Sequence, residues 1–401
     1  MSRGSGWRGR MLGAALMAVA VAGTVASGTA CAESLPITFR GLLDVTLAGR
    51  GEAAEANQFT RDDSPFDGYG ARLFADARPT DHLKIFTQLV LRDASGLYVE
   101  GAYALYTPST ERDLHLMAGK IPWPIGTWAD RSYSNKNPLI STPLMYQFHT
   151  TLLWFDFPSS ADALLAIAGQ GQYGAGYGYA GPRGMPVIDD SYWDVGAVAT
   201  GSVRPLEFAF GATAGTPGWG DTGIDENTGK TVLGRIGVVP APFLRAGVSA
   251  AHGPYLNESL NPVLPTGKTA NDYHETLLMS DLQLDVSRAT LIAEAFTSTW
   301  QSPVIGDLDV MGGYVEGKLT VAAGFYAAAR FDVLRFGDIT NSLGEAHTWD
   351  RDVDRFEVGG GYRLERGTLV KAVWQRHTAR ARDGVAAESD DIFGAQLSLS
   401  F

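Results

Sequence analysis

Asp130, Arg131 and Lys136 lie in residues 122–146, a stretch that also carries Trp123, Trp128, Tyr133 and the prolines Pro122, Pro124, Pro138 and Pro143. Two cations and an acid on a stiff aromatic segment can do electrostatic work in two ways. They can screen passing ions and dipolar solutes, or Arg131 can pair with Asp130 or a more distant acid and fix the segment. The other charged residues fall into two alternating sets. Arg40, Arg72, Lys84 and Arg92 share a phase with Asp44, Asp76 and Glu100, and later Asp281, Asp285 and Glu294 answer Arg330, Arg355, Arg363 and Lys371. Arginines facing acids across a water-filled gap make a transverse field that orients dipolar solutes. The mixed sign leaves ion preference open.

Nothing in the chain has the spacing of a catalytic or cofactor site, so no enzymatic activity, cofactor or metal is expected. Gly169 to Gly174 spells G-x-G-x-x-G, but the glycines run on into Tyr-Gly repeats without the helix that a dinucleotide fold needs. Gly229-Lys230-Thr231 and Gly267-Lys268-Thr269 lack the upstream glycine of a phosphate loop. The seven histidines show no short ligand spacing. His149 and Asp156, close in sequence, point to opposite faces if both lie on strands. Asp221, Asp225, Glu226 and Asn227 fit either a divalent cation or an ordinary solvated acidic loop.

The elements that must position these charges are strands. In 356–364, Phe356, Val358, Tyr362 and Leu364 alternate with Arg355, Glu357 and Arg363; in 278–286, Leu278, Leu282, Leu284 and Val286 alternate with Asp281, Gln283 and Asp285. Short connections near Arg78-Pro79, Pro108-Ser109, Pro158-Ser159-Ser160-Ala161, Val203-Arg204-Pro205, Pro240-Ala241-Pro242, Ser287-Arg288, Leu319-Thr320 and Glu365-Arg366-Gly367 alternate with longer polar or glycine-rich ones. The count predicts an all-β, transmembrane, antiparallel up-and-down barrel of about eighteen strands, with sixteen as the alternative. Tyr69, Tyr103, Trp193, Trp300 and Trp374 are placed in interfacial girdles. A soluble β sandwich also alternates, but its polar face is the outer one, whereas here large charges recur on the phase that a closed barrel turns inward.

Both ends of the chain agree with this reading. Arg3, Arg8 and Arg10, the apolar run from Met11 to Val25 and Ala30-Cys31-Ala32 read as a signal peptide over 1–32, leaving 33–401 as one barrel without a plug domain. Its removal takes away three arginines and no acid, moving the net charge from −12 to −15, and takes the only cysteine. So acidic a chain is not expected to bind nucleic acid. At the other end Phe393, Ala395, Leu397, Leu399 and Phe401 alternate with Gly394, Gln396, Ser398 and Ser400.

That last strand resembles the terminal strand of bacterial outer-membrane barrels, and the pattern of the whole mature chain is similar to Gram-negative porins. Leu116 to Gly126 locally resembles the Gly-Lys…Pro…Gly segment of phosphate-selective and related anion porins. The resemblance implies export to the outer membrane, Phe401 as the residue read by the barrel assembly machinery, and contact with lipid and lipopolysaccharide. It also implies a homotrimer, and 122–146 as an inward-folding external loop that sets the constriction. Small polar or anionic solutes would then diffuse through. The competing functions are a scaffold barrel sheathing a partner such as an electron carrier, and an outer-membrane hydrolase.

Overall fold

A computed structural model describes residues 36–49, 69–92, 96–171, 184–189, 193–220, 227–382 and 386–401. The expected signal peptide lies outside the described residues, as do Asp221, Asp225 and Glu226. Five strands come first: β1 (Ile37–Gly49), β2 (Tyr69–Ala77), β3 (Leu83–Arg92), β4 (Leu97–Tyr106) and β5 (Leu114–Pro122). After a long excursion follow β6 (Trp193–Val203), β7 (Leu206–Thr213), β8 (Thr231–Ala241), β9 (Leu244–Pro254), β10 (His274–Val286), β11 (Ala289–Ser302), β12 (Gly306–Ala322) and β13 (Phe325–Phe336). The small strands β14 (Asp338–Thr340) and β15 (Ala346–Thr348) pair only with each other. The chain ends with β16 (Val353–Glu365), β17 (Thr368–Ala379) and β18 (Glu388–Ser400).

Every barrel strand is antiparallel to its sequence neighbours. β13 joins β16, and β18 closes on β1 through pairs such as Asp44↔Ser398 and Val45↔Leu397. Closure leaves no free edge, so the backbone groups of the spanning strands are paired within the ladder.

The alternation sorts side chains by face. Directly opposed residues share a face, so Arg330↔Glu357 and Glu316↔Arg330 point inward together while Phe331↔Phe356 point outward. Phe39, Leu47, Phe210, Val232, Leu278, Met311, Phe331 and Phe393 are all exposed on the outer face. An apolar belt of this extent has lipid as its natural surroundings.

The barrel has sixteen strands, the lower of the two counts. The difference of two lies at Pro158-Ser159-Ser160-Ala161, taken from sequence as a hairpin turn. Ser160 instead caps a helix over Ala161–Ile167, its side chain accepting a hydrogen bond from the Ala163 amide. Adjacent Leu164 and Leu165 break the period of two that a strand would need. Residues 123–192 are therefore one excursion between β5 and β6, and His149 and Asp156 lie within it rather than on strands. Two aromatics assigned to girdles face inward instead. Tyr103 stacks on Phe86 at 5.0 Å, and Trp300 is fully buried, edge-on to Trp349.

The last residue completes the seam. The amide of Phe401 donates to the Gly41 carbonyl at 3.0 Å, and the Gly41 amide donates back at 2.8 Å. The Phe401 ring lies over Gly41, in the space that a Cβ there would fill. An aromatic covering a glycine across the strand pair shields the exposed backbone. Gly41→Val should destabilise the barrel by about 1–3 kcal/mol, read as a lower temperature for loss of the heat-resistant band on gels. Adding Phe401→Ala to that variant should relieve part of the loss, because it removes the clash.

Candidate functional site

The excursion enters the barrel and is bound by the inward face of the wall. Thr127 donates to Glu294 on β11 from its amide and, at 2.9 Å, from its hydroxyl, and the Tyr146 hydroxyl reaches the second oxygen of the same carboxylate at 2.8 Å. The amides of Ile140 and Ser141 donate to Glu357 on β16 at 3.1 and 3.2 Å, and the Leu144 amide donates to Asp332 on β13 at 2.8 Å. Ser134 bonds Asp44 on β1 and lies 2.7 Å from Ser398 Oγ on β18. Near the end of the barrel that carries the long connections, Asp350 accepts from the Thr151 amide and hydroxyl at 2.7 and 2.8 Å and from the Gly169 amide at 2.7 Å. Burial raises the pKa of this carboxyl, and the same hydrogen bonds work against that shift.

Cations complete the arrangement. Arg330 is fully buried and reaches Glu357 at 2.8 Å, Asp332 at 3.1 Å, Glu316 at 3.3 Å and the Ser141 carbonyl at 3.1 Å. Lys371 on β17 donates to the carbonyls of Ser134, Asn137 and Leu139 at 2.9, 3.2 and 2.7 Å. Lys371 stands three residues into its strand, so residues 134–139 reach to within about 10 Å of the short-turn end at roughly 3.3 Å per residue. The Tyr326 hydroxyl, near that same end, donates to the Pro138 carbonyl at 3.0 Å. Above these polar anchors Trp128, Leu144, Met145, Phe148 and Leu152 join inward residues of β8 to β13, among them Leu233, Leu277, Phe296, Val310 and Leu334, in one apolar cluster.

The residues singled out in the sequence separate into two groups. Arg131 belongs to the anchors: it donates to Glu316 at 2.6 Å and to the Tyr314 hydroxyl at 2.8 Å, with its guanidinium 5.1 Å from the Trp128 ring. Arg72 lies between Asp44 at 3.6 Å and Glu100 at 3.4 Å and faces the Tyr133 ring. Glu100 is buried and also accepts from Gln88, whose oxygen takes the Tyr133 hydroxyl at 2.9 Å. These charges hold the structure together.

Asp130, Asn135 and Lys136 instead form an exposed edge of the excursion, with Lys136 Nζ 5.4 Å from the Tyr133 ring. Arg40, more than half exposed, pairs with Asp76. Lys84 faces inward and is partly exposed, and Arg92 ends β3 opposite Gly70. Around the rest of the short-turn end Glu207 with Arg245, Asp285, Lys318 and Arg363 are inward and solvent-accessible. Sequence reasoning placed Glu357 on the charged phase without giving it a role, and passed over the wall acids Glu316 and Asp332 and the rim acid Asp350. Glu316, Asp332 and Glu357 carried a signal, since each shares the inward phase with a cation on the neighbouring strand.

No family model matches the chain, and no curated protein matches it. Solved structures do. The chain aligns over 92% of its length, and 98% of the other chain, with OmpF of Salmonella typhi in complex with daunomycin, at 11% identity and a TM-score of 0.57. An anion-selective porin from Comamonas acidovorans aligns over 91% and 99% of the two chains at 12% identity and a TM-score of 0.55. The outer-membrane channel DcaP of Acinetobacter baumannii aligns over 93% and 99% at 11% identity and a TM-score of 0.54. The fold is thus that of the Gram-negative outer-membrane porins.

Glu357→Ala removes the acceptor of two amides and a hydroxyl and leaves Arg330 short of a partner. Breaking such a buried pair costs about 3–5 kcal/mol. The variant should keep a heat-resistant barrel but become cleavable by trypsin after Lys136, where the parent protein resists.

Proposed function

We propose that the protein is an outer-membrane porin whose passage is the narrow gap left between the inserted excursion and the facing wall. The observation that carries this reading is the asymmetry of the excursion. One side is sealed to the wall by buried carboxylates and Arg330, while Asp130, Asn135 and Lys136 stand exposed on another edge. Arg40, Asp76, Lys84, Glu207, Arg245, Asp285, Lys318 and Arg363 line the mouth below. Cations outnumber acids there, which favours small anions and polar solutes. The description of the Comamonas acidovorans structure as anion-selective supports the same preference. The passage uses no catalytic group and no cofactor.

The proposal places the chain in the bacterial outer membrane after export by the secretory pathway. Phe401 serves as the mark read by the assembly machinery, and the barrel is surrounded by lipid and lipopolysaccharide. A homotrimer is part of the proposal, supported by the trimeric form in which the structurally similar OmpT of Vibrio cholerae is described.

A sealed barrel is the second reading, and one observation favours it. Inward residues such as Gln88, Glu100, Ile121, Val198, Leu233 and Leu277 are buried at several points around the circumference. A barrel filled in this way would act as a scaffold.

Single-channel recording of the refolded mature protein in a planar bilayer with a KCl gradient separates the two. The porin reading expects a small, steady current with a reversal potential on the anion side, moved toward cations by Lys136→Glu. A folded barrel that passes no current would contradict it and favour the scaffold.

A further inference from the structure

Two arginines stand on neighbouring strands of the inner wall, equally deep and in very different company. Arg330 on β13 has three carboxylates and the Ser141 carbonyl around it. Arg355 on β16 is 2% exposed, and its one hydrogen bond goes to the side-chain oxygen of Gln147 in the excursion. Its Nε has no partner among the described residues. Asp332, directly opposite on β13, has its oxygens engaged by the Leu144 amide at 2.8 Å and by Arg330 Nε at 3.1 Å. On the other side Arg355 is directly opposed by His377 of β17, 4% exposed, whose Nδ1 also has no partner among the described residues. Opposed residues share a face with their Cβ atoms about 4.5–5.5 Å apart, so the two unfulfilled nitrogens belong to one spot. Asp390 on β18 faces His377 in turn. Fully buried Leu334 and Val353 close the spot toward the long connections, and Ile392 closes it from below.

We propose that Arg355 and His377 hold one small monovalent anion, of the size of chloride, sealed between the excursion and the wall. A guanidinium carries five N–H donors, and burying it with a single neutral acceptor leaves its charge uncompensated. An imidazole can place its proton on Nδ1 and donate without adding charge. A halide accepts from both side chains and neutralises Arg355 at the same time. A water in its place would meet the donors and leave the charge. With Asp332 and Asp390 flanking the pair, a divalent anion would bring more negative charge than Arg355 offsets. The apolar walls above and below leave no way in for a larger solute. Being enclosed, the ion is a fixed constituent of the sealed side of the excursion, distinct from whatever passes along its exposed edge.

The test is diffraction at the bromine absorption edge from crystals of residues 33–401 grown in chloride and exchanged into bromide. An anomalous peak within hydrogen-bond reach of Arg355 and His377 is expected, and it should survive a brief wash in gluconate. Beside it, loss of the heat-resistant form is followed in chloride and in gluconate at equal ionic strength. Chloride should raise the midpoint by several degrees, because a ligand of the folded state alone stabilises that state by mass action. Arg355→Met should abolish both the peak and the chloride dependence, and His377→Phe should weaken both. The peak in the parent protein decides the matter even where Arg355→Met fails to fold. A spot that holds only ordered water would overturn the proposal. So would a peak that appears only at molar bromide, or a chloride effect of the same size in the variants. None of these outcomes depends on whether the barrel conducts or on which way it faces.

Discussion

Carboxylates on the inner wall, accepting the amide and hydroxyl hydrogens of one inserted segment, are the interaction on which the rest of this structure depends. Asp44, Glu294, Glu316, Asp332 and Glu357 project from five different strands, and Asp350 stands at the rim. An irregular segment crossing the inside of a barrel carries many backbone groups that have no ladder to join. Leaving them unpaired away from water would cost more than most single contacts return. The acids solve this locally, each taking two or three donors where the geometry allows, and Arg330 and Lys371 prevent the acids and the carbonyls from being left as uncompensated charge.

The consequence for function is positional. Because the anchors run from Thr127 to Gly169 and reach strands from β1 round to β18, the excursion is held at many depths, and its apolar side is locked among inward residues of β8 to β13. On the porin reading, the gap bordered by Asp130, Lys136 and the charges of the short-turn mouth is what remains for solutes. A barrel of sixteen strands is wide enough for an aqueous channel, so on that reading the segment rather than the strand number would govern the passage. Outside, a different rule applies. The wall needs only apolar surface to satisfy lipid.

Much of the barrel was legible in the sequence because a half-buried strand writes its two faces into alternate residues. The inward phase of Arg40, Arg72, Lys84 and Glu100 and the outward phase of Phe393 to Phe401 come directly from that alternation. The excursion beyond Tyr146 was not legible, since a period of two says nothing about a segment that is neither strand nor exposed loop. Pro158-Ser159-Ser160 has the composition of a turn, and only the cap and the helical spacing after it reveal a helix. Charge pairing was equally hidden. Arg131 stands next to Asp130 in sequence, yet its partner is Glu316, 185 residues away, a distance that only the closed sheet can bridge.

On the porin reading, the inserted segment is a fixed constriction. Ser134 and Ser398, with hydroxyl oxygens 2.7 Å apart, allow it to be locked. In Ser134→Cys/Ser398→Cys made in residues 33–401, which hold no cysteine of their own, single-channel current can be recorded with the disulfide formed and then reduced. The account predicts the same small, steady conductance in both states. A current that appears or grows severalfold on reduction would show that the segment moves to open the barrel, and would contradict it.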